Sequence, residues 1–96
     1  MKILCGFIET YLNAELAYGH LPQVRSTIAV SVPEWGESIR REFARALSER
    51  PFSVVRYSDM TLLDFESEDA LYAYLEGVFD YLFLDGEQAP LPPEGE

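Results

Sequence analysis

The chain has 96 residues, of which 48% are hydrophobic and 14% aromatic, and it carries a net charge of −10. This describes one domain around one core, too apolar for disorder and too small for a deep cleft. The negative charge repels phosphates, which disfavours nucleic acid and anionic membrane as direct ligands and leaves basic proteins as the natural partners.

The first predicted element is a helix over 3–17. Ile3, Leu4, Phe7, Ile8, Tyr11, Leu12 and Leu16 recur at three- and four-residue spacing, with Glu9, Thr10 and Asn13 opposite. Gly19 is its candidate stop. Residues 22–32 suit a helix with Pro22 in its first turn, or a strand over 24–32 in which Ile28, Val30 and Val32 alternate with Ala29 and Ser31.

A third segment, 34–50, has Pro33 at its start and Glu34 and Glu37 near the positive end of the helix dipole. Trp35, Ile39, Phe43, Ala46 and Leu47 form its apolar stripe. Arg40, Arg41 and Arg45 lie on the other side, and Pro51 stops it. Residues 52–63 suit a short helix, or a strand over 52–57 through Val54 and Val55. The last predicted helix, 68–84, is capped by Ser67 with Glu68 and Asp69 in its first turn. Leu71, Leu75, Val78, Phe79 and Leu82 form its core stripe, Ala70, Ala73 and Gly77 a narrow seam, and Asp85-Gly86 its end.

The fold expected is therefore all-α, a compact bundle of about four helices, with α+β as the alternative. A globular domain spans 1–86, and 87–96, with Pro90, Pro92 and Pro93, reads as a mobile tail.

The charge is concentrated. Residues 1–51 hold six bases and six acids, whereas 52–96 hold Arg56 against eleven acids. Such a dipole attracts and orients a basic partner. Asp69, Tyr72, Glu76 and Asp80, spaced three, four and four apart, fall on one face of the last helix, with Asp64 and Glu66 just before it. These six are the candidate partner-binding residues, Tyr72 packing at the centre of the contact. Like charges at such spacing weaken an isolated helix, so a purpose beyond folding is expected. The alternative is a solvated face that keeps the protein soluble.

Catalysis is not expected. His20 is the only histidine and Cys5 the only cysteine. Neither has a spaced nucleophile, base or orienting carboxylate, and no phosphate-loop, GxSxG, HExxH or GxGxxG pattern occurs. A loop position for His20 and a buried, inert thiol for Cys5 are the simpler readings. Asp59, Asp64, Glu66, Glu68 and Asp69 lack the glycine and ligand rhythm of a calcium loop, so no metal and no cofactor are expected. One cysteine forms no internal disulfide, and the apolar run before Glu9 is short for a signal peptide; both point to the cytoplasm.

Phe7-Ile8-Glu9-Thr10-Tyr11-Leu12, Pro33-Glu34-Trp35 with Ile39, Glu42-Phe43 and Ala46-Leu47, and Phe65-Glu66-Ser67-Glu68-Asp69-Ala70-Leu71 with Leu75 together cover roughly half the chain. In layout they resemble the helices of small immunity proteins from bacterial polymorphic toxin and contact-dependent growth inhibition systems. The resemblance implies a non-enzymatic protein that blocks a toxin by binding it, and carries over no binding residue. The function expected is neutralisation of a cationic toxin domain, plausibly a nuclease, by a protein that is monomeric when free. A phage or plasmid DNA mimic that occupies a host DNA-binding protein is one alternative. A small adaptor subunit docking through the Ala70–Ala73–Gly77 seam is another.

Overall fold

Apolar residues spaced three and four apart become five helices among the described residues, which are 2–13, 20–84, 86, 87 and 90 of a computed structural model. They are α1 (Lys2–Tyr11), α2 (Leu21–Val30), α3 (Pro33–Glu49), α4 (Val54–Thr61) and α5 (Glu68–Phe83). The all-α class holds, with no strand among the described residues, and there is one helix more than the four expected.

The two ambiguous stretches supply the difference. In α2, Pro22 occupies the first turn, and the Ser26 and Thr27 hydroxyls donate back to the Pro22 and Gln23 carbonyls at 3.1 and 2.9 Å. Leu21, Val24 and Ile28 then share a face toward the interior, which alternation in a strand would split. In α4, the Ser53 hydroxyl accepts from the Arg56 N–H at 3.1 Å, an N-cap that outweighs the strand preference of Val54 and Val55. Tyr57 and Thr61, four apart, are buried on one side of that helix.

The first helix ends at Tyr11, short of the 3–17 expected. The Asn13 side-chain amide donates to the Glu9 and Thr10 carbonyls at 3.0 and 3.3 Å, satisfying groups that another turn would otherwise use. Leu16 and Gly19 lie outside the described residues, as do Asp85 and all of the 87–96 tail except Glu87 and Pro90.

Helix α3 packs between α1 and α5, α2 touches α3 and α5, and α4 rests on α1. Phe43 of α3 meets Phe79 and Phe83 of α5 with ring centroids 5.4 and 6.4 Å apart. Glu42, beside Phe43, accepts a hydrogen bond from the Leu4 N–H at 3.0 Å, so α3 caps the first turn of α1.

Helix α5 has the most buried side chains of the five helices. It buries Leu71, Tyr72, Tyr74, Leu75, Val78, Tyr81 and Leu82 on one half of its circumference, and half-buried Ala70, Gly77, Phe79 and Phe83 flank them. After Phe83 the chain turns back. The Gly86 N–H donates to the Asp80 carbonyl at 3.0 Å, and a Cβ at Gly86 would meet backbone atoms of Tyr81 at 3.0 and 3.1 Å. A side chain here would force the backbone apart by a few tenths of an ångström, so the close approach favours glycine. Pro90 then reaches Gly77, where an added Cβ would lie 3.2 Å from the proline ring.

Candidate protein-binding surface

Because α5 is buried on most sides, its solvent face is narrow. At ~100° per residue, Asp69, Ala73, Glu76 and Asp80 fall within one sector, and all four are exposed. Tyr72 is not among them. It sits about 60° to one side of Asp69, where Phe52 covers it, and it is only 1% exposed. Its hydroxyl accepts from the Phe52 N–H at 2.8 Å and donates to the Phe52 carbonyl at 3.2 Å, and the Arg50 guanidinium lies 5.0 Å over its ring. The expectation of Tyr72 at the centre of a contact is therefore corrected: it is a core residue, and Ala73 takes its place on the stripe.

The other five candidates are exposed. Asp64 accepts from the Ser58 hydroxyl at 2.6 Å. Asp69 pairs with Arg50 at 2.8 Å, but its side chain is 88% exposed, so solvent screens the pair and it adds little to stability. Glu66, Glu76 and Asp80 make no ion pair or side-chain hydrogen bond among the described residues.

Helix electrostatics separates these acids. Glu68 and Asp69 lie at the positive end of α5, where acids help folding. Asp80 lies in the last turn, at the negative end, where a base would be favoured and none is present. Folding accounts for the first pair and not for Asp80. Arg56, the one base of the acidic half, has its guanidinium 5.2 Å over the Phe52 ring and 4.0 Å from the Cys5 sulfur.

The remaining features are weaker candidates. His20 is exposed ahead of α2 and makes no side-chain cap there. Cys5 is half-buried. Among the described residues no three His, Cys, Asp or Glu side chains are grouped so as to hold a metal ion, and no helix is long and apolar enough to cross a membrane. The small-residue seam is partly filled, since Pro90 covers its Gly77 end and Ala70 packs toward the core. A shallow groove lined by Ile3, Gly6, Phe7, Tyr11 and Trp35 opens between α1 and α3, with Lys2 at its edge, so it does not extend the acidic surface.

One feature escaped the sequence reading. Leu62 follows α4 in the left-handed conformation, φ 65° and ψ 22°, with its side chain 81% exposed. The only hint is that the Leu62-Leu63 pair interrupts a run of acids.

No family model, no curated protein and no solved structure matches the chain.

Proposed function

We propose that this chain is a non-enzymatic binding protein that captures a cationic protein through its acidic surface. The contact set is Asp64, Glu66, Asp69, Glu76 and Asp80, with Ala73 rather than Tyr72 on the α5 stripe. The observation that carries the reading is that Glu66, Glu76 and Asp80 are exposed without cationic partners among the described residues, with Asp80 at the helix end that disfavours it. Groups kept against folding preference are available to a partner.

The most concrete form is an immunity protein that covers the positive cleft of a nuclease toxin and excludes its phosphate substrate, acting in the cytoplasm as a monomer. A DNA mimic needs two acid rows, and α5 presents one narrow stripe, which favours the first reading. Co-expression with the products of neighbouring genes, followed by kinetics with any basic protein that co-purifies, tests it. Association should slow as salt rises from about 50 mM to about 500 mM, because screening shortens the reach of charge to a few Å. An association rate indifferent to salt would refute it.

A further inference from the structure

We infer that Leu62, exposed in the turn after α4 with the exposed acids Asp59, Asp64 and Glu66 within four residues of it, is the apolar anchor for a cationic amphipathic helix on the partner protein. The inference rests on the acidic-surface reading and names the chemistry of the segment recognised.

Two left-handed non-glycine residues occur among the described residues, Arg50 and Leu62, and both end helices. A side chain in this conformation crowds its own carbonyl, so glycine or asparagine is the usual occupant. Arg50 compensates within the fold, stacking over Tyr72 and pairing with Asp69. Leu62 is 81% exposed and has no comparable compensation. A single exposed leucine needs no explanation. An exposed leucine at a position whose backbone disfavours it is not accounted for by the fold.

The turn holds Leu62 outward. Its neighbours Thr61 and Leu63 are both buried. The Thr61 hydroxyl donates to the Tyr57 carbonyl at 2.8 Å and accepts from the Leu63 N–H at 3.2 Å. The Ser58–Asp64 hydrogen bond spans the turn, and the Leu62 N–H closes it onto the Ser58 carbonyl at 2.8 Å. Bonds on both sides fix the direction in which the side chain leaves the backbone, which lowers the ordering cost of docking.

Leu62 is not alone. Val55, in the first turn of α4, is 72% exposed. Asp59 lies between them and is exposed. Along the chain the exposed apolar and acidic residues thus run Val55, Asp59, Leu62, Asp64 and Glu66. An apolar strip edged by acids complements a helix whose apolar strip is edged by lysine or arginine.

The test uses the full chain and two helical probes of equal charge, a lysine/leucine amphipathic peptide and a lysine/glutamine peptide, in fluorescence-anisotropy titrations. Leu62→Asn suits the backbone and should leave Tm unchanged or raised. Wild type should prefer the lysine/leucine peptide. Leu62→Asn should weaken that complex about tenfold and leave the lysine/glutamine peptide within twofold. Equal affinity of wild type and Leu62→Asn for the lysine/leucine peptide, with Asp64→Asn and Glu66→Gln still weakening it, would overturn the anchor alone. Sensitivity to Leu62→Asn without sensitivity to salt or to the acid variants would overturn the cationic reading beneath it.

Discussion

The hydroxyl of Tyr72 is held between the two backbone polar atoms of one residue, accepting from the Phe52 N–H at 2.8 Å and donating to the Phe52 carbonyl at 3.2 Å. This pins the segment between α3 and α4 to α5, in a place where no helical hydrogen bond serves Phe52. Tyr72→Phe leaves both groups unsatisfied in a buried site and should destabilise the protein by about 1–3 kcal/mol in urea unfolding. Tyr72→Ala should cost about 3–5 kcal/mol. Affinity for a basic peptide, measured where the variants remain folded, should not change.

Tyr57 presents the opposite case. Its hydroxyl is fully buried and has no hydrogen-bond partner among the described residues. Tyr57→Phe should raise stability by about 1 kcal/mol, because a buried orphan donor is removed.

The same burial sets the response to alkali. Burial pushes the Tyr57 hydroxyl well above the usual tyrosine range, with the Tyr74 hydroxyl adding to the shift. Burial raises Tyr72 as well, against the lowering effect of its bond to Phe52. The neutral forms are favoured in the fold, so stability is full below about pH 10, where unfolded tyrosine is still protonated. Above that pH the unfolded chain ionises first and stability falls, for Tyr57 with a slope approaching about 1.4 kcal/mol per pH unit and for Tyr72 over a narrower window, until the folded groups titrate too. Urea midpoints between about pH 8 and pH 11 should show this fall, and Tyr57→Phe should make it shallower.

Glu42 reaches from α3 to the Leu4 N–H in the first turn of α1. Glu42→Ala should destabilise by about 0.5–2 kcal/mol, the range for a lost N-terminal cap, and Glu42→Gln should cost less because the acceptor remains. Hydrogen exchange at Leu4 should accelerate in Glu42→Ala more than exchange in α5.

The two left-handed residues should respond differently to glycine. Leu62→Gly relieves about 1–2 kcal/mol of backbone crowding, offset in part by greater unfolded-state entropy, so Tm should hold or rise. Arg50→Gly gains the same relief and loses the stacking on Tyr72 and the Asp69 pair, so its Tm should fall below that of Leu62→Gly.

Most helices were legible in the sequence because their stripes and stops are local. Pro33, Ser67 and Pro51 mark boundaries that the structure reproduces to within a residue. Helix α4 was undecided because eight residues carry little periodicity and its β-branched start favours a strand; the Ser53 cap and the burial of Tyr57 and Thr61 decide it. Helical spacing correctly grouped Asp69, Glu76 and Asp80. It could not tell which edge of that face a neighbouring segment would cover, and Phe52, twenty residues earlier, covers Tyr72. Leu62 left only its interruption of the acidic run, since neither a left-handed backbone nor an outward leucine has a period.

The most direct measurement compares two triple variants of equal net charge in stopped-flow association with a lysine-rich helical peptide at low salt. Glu66→Gln/Glu76→Gln/Asp80→Asn removes three acids from the proposed surface. Glu9→Gln/Glu34→Gln/Glu37→Gln removes three exposed acids from the neutral half. If the acidic surface is the contact, the first variant should associate about tenfold more slowly than wild type and the second within about twofold. Equal slowing in both would mean that net charge alone governs the encounter, contradicting capture through this surface.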